Sequence, residues 1–166
     1  MIMTPVVRKV TLTMHVVSSV GLLGAVASFL LLAVAGLGIR DPQLARAPYL
    51  AMGMIAWTII LPAAFAALAT GLVQALGTKW GLFKHKWVLV KLGVTLFATA
   101  ILLIKMALID RVAEFAARGP MRIADLNQER GELAFHAGGG LLILLIPMVL
   151  SVFKPCGMTR YGLAKK

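Results

Sequence analysis

The sequence predicts an all-α fold, a membrane-embedded bundle of four antiparallel helices arranged up and down. The composition is the first reason, since 60% of the 166 residues are hydrophobic and 14% are charged. A soluble domain is roughly half apolar and a quarter charged. The second reason is that four stretches reach the roughly 20 largely apolar residues that a spanning helix requires. Because these runs do not alternate with polar residues, a membrane β-barrel is excluded.

The predicted helices form one domain over residues 1–166 and lie at about 11–38, 48–76, 87–118 and 134–153. The first stretch has basic residues before it, as a signal peptide does. Its apolar part is longer than the roughly 15 residues of a secretory signal, so we expect a retained helix. The third helix continues beyond the membrane until Gly119-Pro120 ends it. A short outer interfacial helix is predicted at about 120–130.

Small residues and prolines interrupt these helices. Gly21, Gly24 and Ser28 are spaced to form small-residue notches on the first helix, which predict a contact seam inside the bundle or between copies of it. Pro62 and Pro147 fall inside the second and fourth helices. Proline removes a backbone hydrogen bond and crowds the carbonyl four residues back, so Pro62 and Pro147 predict kinks. For Pro62, packing geometry is the favoured interpretation, with a hinge or a binding-site device as the alternatives.

Charge is distributed unevenly between the two sides of the predicted bundle. One side holds only basic residues, namely Arg8, Lys9, Lys79, Lys84, Lys86, Lys91, Lys154, Arg160, Lys165 and Lys166. The other side mixes basic and acidic residues, namely Arg40, Arg46, Arg111, Arg118, Arg122, Arg130, Asp41, Asp110, Glu114, Asp125, Glu129 and Glu132. The Lys/Arg excess predicts cytoplasmic N and C termini in a multi-pass protein of the bacterial cytoplasmic (inner) membrane. The net charge of +11 is expected to attract anionic lipid headgroups, not nucleic acid.

Few polar residues fall within the predicted spans, where ionisable groups are functional suspects. Lys105 lies near the outer end of the third helix, and its long stem is expected to snorkel to the outer interface. Gln74 lies near the inner end of the second helix and is expected to bond a neighbouring helix. No carboxylate falls within a core span, which disfavours a proton relay or an ion pump.

The three histidines are candidate ligands of haem or of a metal ion. His15 is expected roughly 7 Å deep from the inner surface, His85 at the inner end of the third helix, and His136 at the outer end of the fourth. The hydrocarbon core is about 30 Å thick, so His15 and His136 cannot share an ion. His15 and His85 agree in depth, but His85 lies between Lys84 and Lys86 and is expected to face water.

His136 has a different set of candidate partners at the outer end. Met52, Met54 and Met106 are expected at a similar depth, and thioethers together with imidazole suit Cu(I). Methionine is also a routine filler of irregular cores, and packing is the favoured interpretation.

Three glycines follow His136, at Gly138, Gly139 and Gly140. Glycine weakens a helix in water, but in a membrane it lets another helix approach closely. We expect close packing here, with Gly36 and Gly38 of the first helix as the partner. The alternative is a crevice beneath the histidine.

Four stretches carry a resemblance to known proteins. With LATGLVQALGTKWGLFKHKWVLVKL (68–92), MHVVSSVGLLGA (14–25), FHAGGGLLILL (135–145) and SVFKPCGMTRYG (151–162), the chain resembles small bacterial four-helix integral membrane proteins with a domain of unknown function. The resemblance implies a fold and brings no mechanism. The histidine and small-residue helix of the first span are also distantly similar to the membrane domain of copper-resistance D proteins, which implies copper as an option.

Three functions agree with these features. The first is an integral membrane protein without an evident catalytic site, such as an accessory or assembly component, acting as a homo-oligomer or with a membrane-protein partner. The second is a haem b- or copper-binding protein that uses His15 or His136. The third is a small oligomeric transporter or channel. An enzyme is not expected, because no Ser-His-Asp set, carboxylate pair or phosphate loop occurs at a credible depth.

Overall fold

The computed structural model describes residues 3–78, 81–122, 124–153, 157 and 159. The elements are α1 (Pro5–Gly38), α2 (Arg46–Ile55), a π-helical turn (Ala56–Ile60), α3 (Leu61–Gly77), α4 (Lys86–Arg118) and α5 (Asn127–Phe153). The second helix, the π-helical turn and the third helix form one continuous rod, so the chain builds four rods. Over the described ranges there is no β-strand, and the predicted all-α fold of four helices is confirmed.

Each rod is long and apolar enough to cross a membrane. The rods contain 34, 32, 33 and 27 residues, and the shortest is about 40 Å long at 1.5 Å per residue. This exceeds the roughly 30 Å of a hydrocarbon core. Large apolar side chains cover the outside, and Leu31, Phe135 and Phe153 are 69%, 77% and 77% exposed. Such a surface suits lipid and would be unusual on a soluble monomer.

Two helix boundaries differ from those predicted. Helix α1 begins at Pro5, six residues before the predicted start at 11, because Thr4 caps it and a proline suits the first helical turn. The separate outer helix expected at about 120–130 does not form. Leu126 adopts a φ of 49°, which is costly for a branched side chain, and the chain turns there. Residues 127–130 instead form the first turn of α5.

A π-helical turn stands where Pro62 predicts a kink. The N–H of Leu61 donates to the carbonyl of Ala56, five residues back. Pro62 has no N–H to donate, and its ring crowds the Thr58 carbonyl, so the helix widens just before the proline. The Thr58 hydroxyl donates to Met54 O at 2.7 Å. The backbone disturbance is therefore absorbed as an extra residue in one turn.

Contacts at the two ends of the bundle set the direction of the rods. The Met3 N–H donates to Gly77 O at 3.0 Å, so the start of α1 lies beside the end of α3. The end of α1, at Gly36, contacts Arg130 near the start of α5. Helix α1 therefore runs opposite to both neighbouring rods.

The two ends are packed differently. We call the end with the loops at 39–45 and 119–126 the acidic end, and the opposite one the basic end. The most tightly buried side chains, at most 1% exposed, lie at or toward the acidic end: Ala33, Ala45, Tyr49, Met52, Ala56, Val112, Ala116, Met121 and Arg130. The basic end is looser and contains the larger cavity described below.

Candidate functional site

A buried arginine closes the acidic end. Arg130 is 0% exposed. Its Nε donates to the Tyr49 hydroxyl at 2.7 Å, its Nη2 to Gly36 O at 2.5 Å and its Nη1 to Arg122 O at 3.3 Å. The guanidinium carbon lies 5.1 Å from the centroid of the Tyr49 ring. We call Arg130, Tyr49 and Gly36 the arginine cluster; it ties α1, α2 and α5 together.

The close approach of Tyr49 depends on Gly36. A Cβ on Gly36 would lie 2.6 Å from the Tyr49 ring, so a side chain at this position would force the tyrosine to move. The charge pattern places Arg130 on the side of the bundle that mixes basic and acidic residues, and it does not indicate that this side chain is buried. The signal in the sequence is helical spacing, since Arg130 lies on the same face of α5 as the buried Leu133 and Ala137.

A second polar contact joins α4 to α5. Lys105 Nζ lies 2.5 Å from Glu132 Oε1, and the two side chains are 25% and 35% exposed. The Lys105 ammonium therefore forms an ion pair with a carboxylate of the neighbouring helix. The expectation that this side chain simply extends to the outer interface omits this contact. The main-chain carbonyl of Glu132 is hydrogen-bonded to Nδ1 of His136 at 2.8 Å.

A crevice of about 410 Å³ opens beside His136, lined mainly by apolar side chains of α1, α4 and α5. A Cβ on Gly139 or Gly140 would meet no atom within 4 Å, and one on Gly138 would meet only Leu30, at 3.9 Å. The expected close packing of these glycines against Gly36 and Gly38 is therefore wrong, because Gly36 already packs on Tyr49. The structure instead has a crevice lined in part by Gly139 and Gly140, which is the alternative that the sequence left open.

The three candidate methionines are not gathered around His136. Met52 and Met106 are 1% and 6% exposed and belong to the hydrophobic core, whereas Met54 is 69% exposed and faces outward. None of the three lines the crevice beside His136. The structure therefore does not assemble the alternative Cu(I) set, and Met52 and Met106 are core side chains, as the favoured packing interpretation expects.

A larger cavity of about 700 Å³ opens at the basic end between α1, α3, α4 and the end of α5. Its polar lining groups are Arg8, Lys9, His15, Gln74, Thr78, Lys91, Thr95 and Ser151. Among the described residues no carboxylate lines it. We call it the basic-end cavity.

His15 is fixed in this cavity by α3. Its Nδ1 lies 3.1 Å from Ala67 O and 3.1 Å from Thr70 Oγ1. Because a carbonyl oxygen only accepts, Nδ1 carries a proton, and in the neutral ring Nε2 then has the lone pair. Gly71 gives the ring room, since a Cβ there would lie 3.0 Å from His15 Cε1. The Nδ1 of His136 likewise donates to a main-chain carbonyl, that of Glu132.

Lys91 supplies charge to the same cavity. Its Nζ donates to Ser151 Oγ at 2.6 Å and lies 5.9 Å from the Trp87 ring centroid. The Ser151 hydroxyl in turn donates at 2.7 Å to the carbonyl of Pro147, which lies inside α5 as predicted. The ammonium is thus held by a hydroxyl and an aromatic face.

Gln74 lines the same cavity with an unused donor. Its Nε2 is buried and has no hydrogen-bond partner in the described part of the chain. The expected bond to a neighbouring helix is therefore not made. A buried amide donor without a partner is costly, which makes this position notable.

His85 lies apart from His15. It immediately precedes α4, and its ring centroid is 6.3 Å from that of Trp87. It is not among the residues that line the basic-end cavity, so the structure does not bring it together with His15, a pairing that the sequence already disfavoured. Within the described residues, no group of three or more His, Cys, Asp or Glu side chains could hold a metal ion.

The predicted notch on α1 faces away from the bundle. A Cβ on Gly21 or Gly24 would meet no atom within 4 Å, and the Ser28 hydroxyl donates to Gly24 O of its own helix at 3.0 Å. The notch is therefore no seam inside the bundle, and contact with another chain stays a prediction.

Part of the basic side lies outside the described residues, namely Lys79, Lys154, Arg160, Lys165 and Lys166. Comparison of the chain with protein-family models, curated proteins and solved structures finds no match. The resemblances noted from the sequence therefore remain expectations, and function has to be argued from the residues.

Proposed function

We propose that the chain is a multi-pass protein of a bacterial cytoplasmic membrane, with both termini in the cytoplasm, that works without catalysis as an accessory or assembly component. The supporting observation is the use of its interior polar groups. Arg130 bonds Tyr49 and Gly36 across three rods, and Lys105 bonds Glu132 across two. These groups join helices to one another, which is the role that polar residues play in membrane helix packing.

The outward face of α1 is where a partner would bind. Gly21, Gly24 and Ser28 form a shallow notch there. Among the described residues, no atom lies within 4 Å of a Cβ placed on Gly21 or Gly24, and Val20 and Leu31 beside the notch are 62% and 69% exposed. Small residues let two helix backbones approach closely, and this contact drives association in lipid. An accessory protein needs such a surface.

The oligomeric state tests this proposal. The chain is extracted from membranes in a mild detergent, and the protein mass of the particle is measured by light scattering. We expect a particle larger than one chain, and a shift toward the single chain in Gly24→Leu. The matched control is Val34→Leu, at another exposed position of α1 (55%), which should keep the larger particle. Single chains in the wild type, both after extraction and after cross-linking in intact membranes, would contradict the proposal.

A second candidate function is the binding of haem or a metal ion through a histidine. It is favoured by the Nδ1 bonds of His15 and His136 to main-chain carbonyls. Metal-ligating histidines characteristically donate the other ring N–H to a carbonyl or carboxylate, which fixes the ring and leaves Nε2 to coordinate. Both rings line cavities large enough to admit a group from outside.

An optical spectrum and elemental analysis of the purified protein test this second candidate. A Soret band lost in His15→Ala and kept in His85→Ala would support haem at the basic end. Copper in proportion to protein, lost in His136→Ala, would support a metal at the acidic end. Protein that carries neither group after growth with added haem and copper would rule out this function.

A further inference from the structure

The basic-end cavity combines positive charge with no matching negative charge. The acidic residues of the chain number six, and none of them lines this cavity. Lys91 is held there by Ser151 and the Trp87 ring, and it makes no ion pair within the described residues. Charges inside a membrane protein are normally paired, so a counter-charge from outside the chain would complete the site.

We propose that the basic-end cavity binds an anionic phospholipid, with the phosphate against Lys91 and a hydroxylated headgroup beside His15. This inference goes beyond the accessory role and does not depend on it. It also differs from the general attraction of the basic side for anionic lipid, because the lipid would occupy one defined cavity that is open to the surface.

The donors around the cavity suit a phosphate diester. The Lys91 ammonium carries the charge, and the buried Gln74 Nε2, which has no partner in the described part of the chain, supplies a hydrogen-bond donor. Charge-assisted hydrogen bonds of this kind are stronger than neutral ones. Arg8 and Lys9 also line the cavity and are exposed, so they can draw an anion toward it.

His15 selects for a headgroup with a hydroxyl. Its Nδ1 proton is committed to Ala67 O and Thr70 Oγ1, so in the neutral ring Nε2 offers only a lone pair. A lone pair faces a phosphate oxygen unfavourably, whereas a hydroxyl can donate to it. A glycerol headgroup has such hydroxyls, and a choline headgroup has none.

The rest of the cavity suits acyl chains. Its walls include the apolar side chains Leu12, Val16, Leu68, Leu72, Leu82 and Leu92. A free phosphate ion would fill a small part of 700 Å³ and would leave these walls without contacts. A lipid fills both parts, and burial of its acyl carbons is favourable wherever water would otherwise enter.

Lipid titration of the full-length chain tests the proposal. The protein is purified in a neutral detergent, stripped of lipid, and its Tm is measured against added phosphatidylglycerol, phosphatidylcholine or inorganic phosphate. We expect a saturable rise in Tm with phosphatidylglycerol alone. In Lys91→Met the half-saturating concentration should rise about tenfold, as expected for a lost hydrogen bond to a charged group. Lys86→Met is the matched control; its exposed side chain does not line the cavity, and its response should equal the wild type.

Further variants keep the test decisive. Lys91→Arg should retain most of the response to phosphatidylglycerol. Gln74→Leu should weaken that response, and it tests the site independently if Lys91→Met does not fold. Equal responses of Lys91→Met, Gln74→Leu and the wild type would overturn the proposal, as would an equal response to phosphatidylcholine. Inorganic phosphate that reproduces the full effect would show a small-anion site and overturn the lipid assignment.

Discussion

At residue 130 the chain buries a side chain whose charge cannot be neutralised by loss of a proton. The arginine cluster makes this tolerable because the guanidinium bonds one hydroxyl and two carbonyls. It also lies against the Tyr49 ring, which attracts a cation through its π face. The cluster uses the fork geometry of arginine, which lysine does not have.

Arg130→Met is expected to lower the free energy of unfolding by about 3 kcal/mol, because it leaves buried acceptors without donors. Unfolding in mixed micelles of mild detergent and dodecyl sulfate measures it. Arg130→Lys should recover little of the loss. The control is Arg118→Met, whose side chain is 77% exposed, with an expected change within about 0.5 kcal/mol. Equal effects of the two methionine substitutions would refute the role of the cluster.

Gly36→Ala tests the close approach of Tyr49. The new methyl would lie 2.6 Å from the ring, so the tyrosine must shift, and we expect a loss of about 1–3 kcal/mol in unfolding free energy. Gly38→Ala is the matched control, since its Cβ would meet nothing within 4 Å. It should be neutral or slightly stabilising. The same unfolding assay compares both, and a harmless Gly36→Ala would contradict the steric argument.

Sequence reasoning fails at this cluster for a physical reason. Arg130 and Glu129 both follow a polar loop, and local composition does not separate the fully buried arginine from the half-buried glutamate beside it. Which of them enters the bundle depends on the rotation of α5 and on the space that Gly36 leaves, and both are tertiary properties. The depth order of His15 and His136, in contrast, follows from chain position alone, because each rod crosses the bundle once.

At the scale of elements, Pro62 shows how far a proline predicts helix geometry. In the rod formed by α2, the π-helical turn and α3, the proline predicts where the helix is disturbed and does not predict the form of the disturbance. Pro62 locates the disturbance, because a missing N–H and a ring clash are local effects. The form of the disturbance depends on the packing of both halves. Ala56 before the proline and Ala64 after it are both buried, and a widened turn keeps both in the core.

The contact between α4 and α5 gives a prediction at this scale. In Lys105→Glu, two carboxylates would lie side by side in place of the 2.5 Å ion pair, and we expect a lower Tm in detergent. Glu132→Lys alone should also destabilise, by placing two ammonium groups together. The double exchange should recover most of the loss, because opposite charges are restored. Additive losses in the double variant would show that the pair does not couple these helices.

Across the whole molecule, the charge asymmetry predicts the orientation. Residues at the acidic end should face the outside, and those at the basic end the cytoplasm. In a Cys156→Ser background, a membrane-impermeant thiol reagent added to spheroplasts should label Gln43→Cys and should not label Thr4→Cys. Both parent residues are exposed. Labelling of Thr4→Cys in intact spheroplasts would reverse the orientation, and lysed cells provide the control for reactivity.

The number of rods follows from the number of long apolar stretches, and their order follows from the chain, so the sequence predicts both. The cavities do not follow from apolar length. The crevice beside Gly139 and Gly140 exists because Gly36 packs on Tyr49 instead, and the basic-end cavity exists because side chains from four elements stop short of one another. The charge pattern assigns Lys91 to the basic side, yet nothing local in the sequence indicates that Ser151 lies beside it.

The uneven tightness of the two ends has a mechanical consequence. A buried guanidinium holds the helices together at one end of the bundle, and the other end is loosely packed. The helices should therefore separate at the loosely packed end and pivot near Tyr49. Amide exchange should then be slowest around Ala33 and Val112 and fastest around Gly71 and Leu92. A ligand would enter between the helices at the basic end, and the end that contains the arginine cluster would stay rigid during entry.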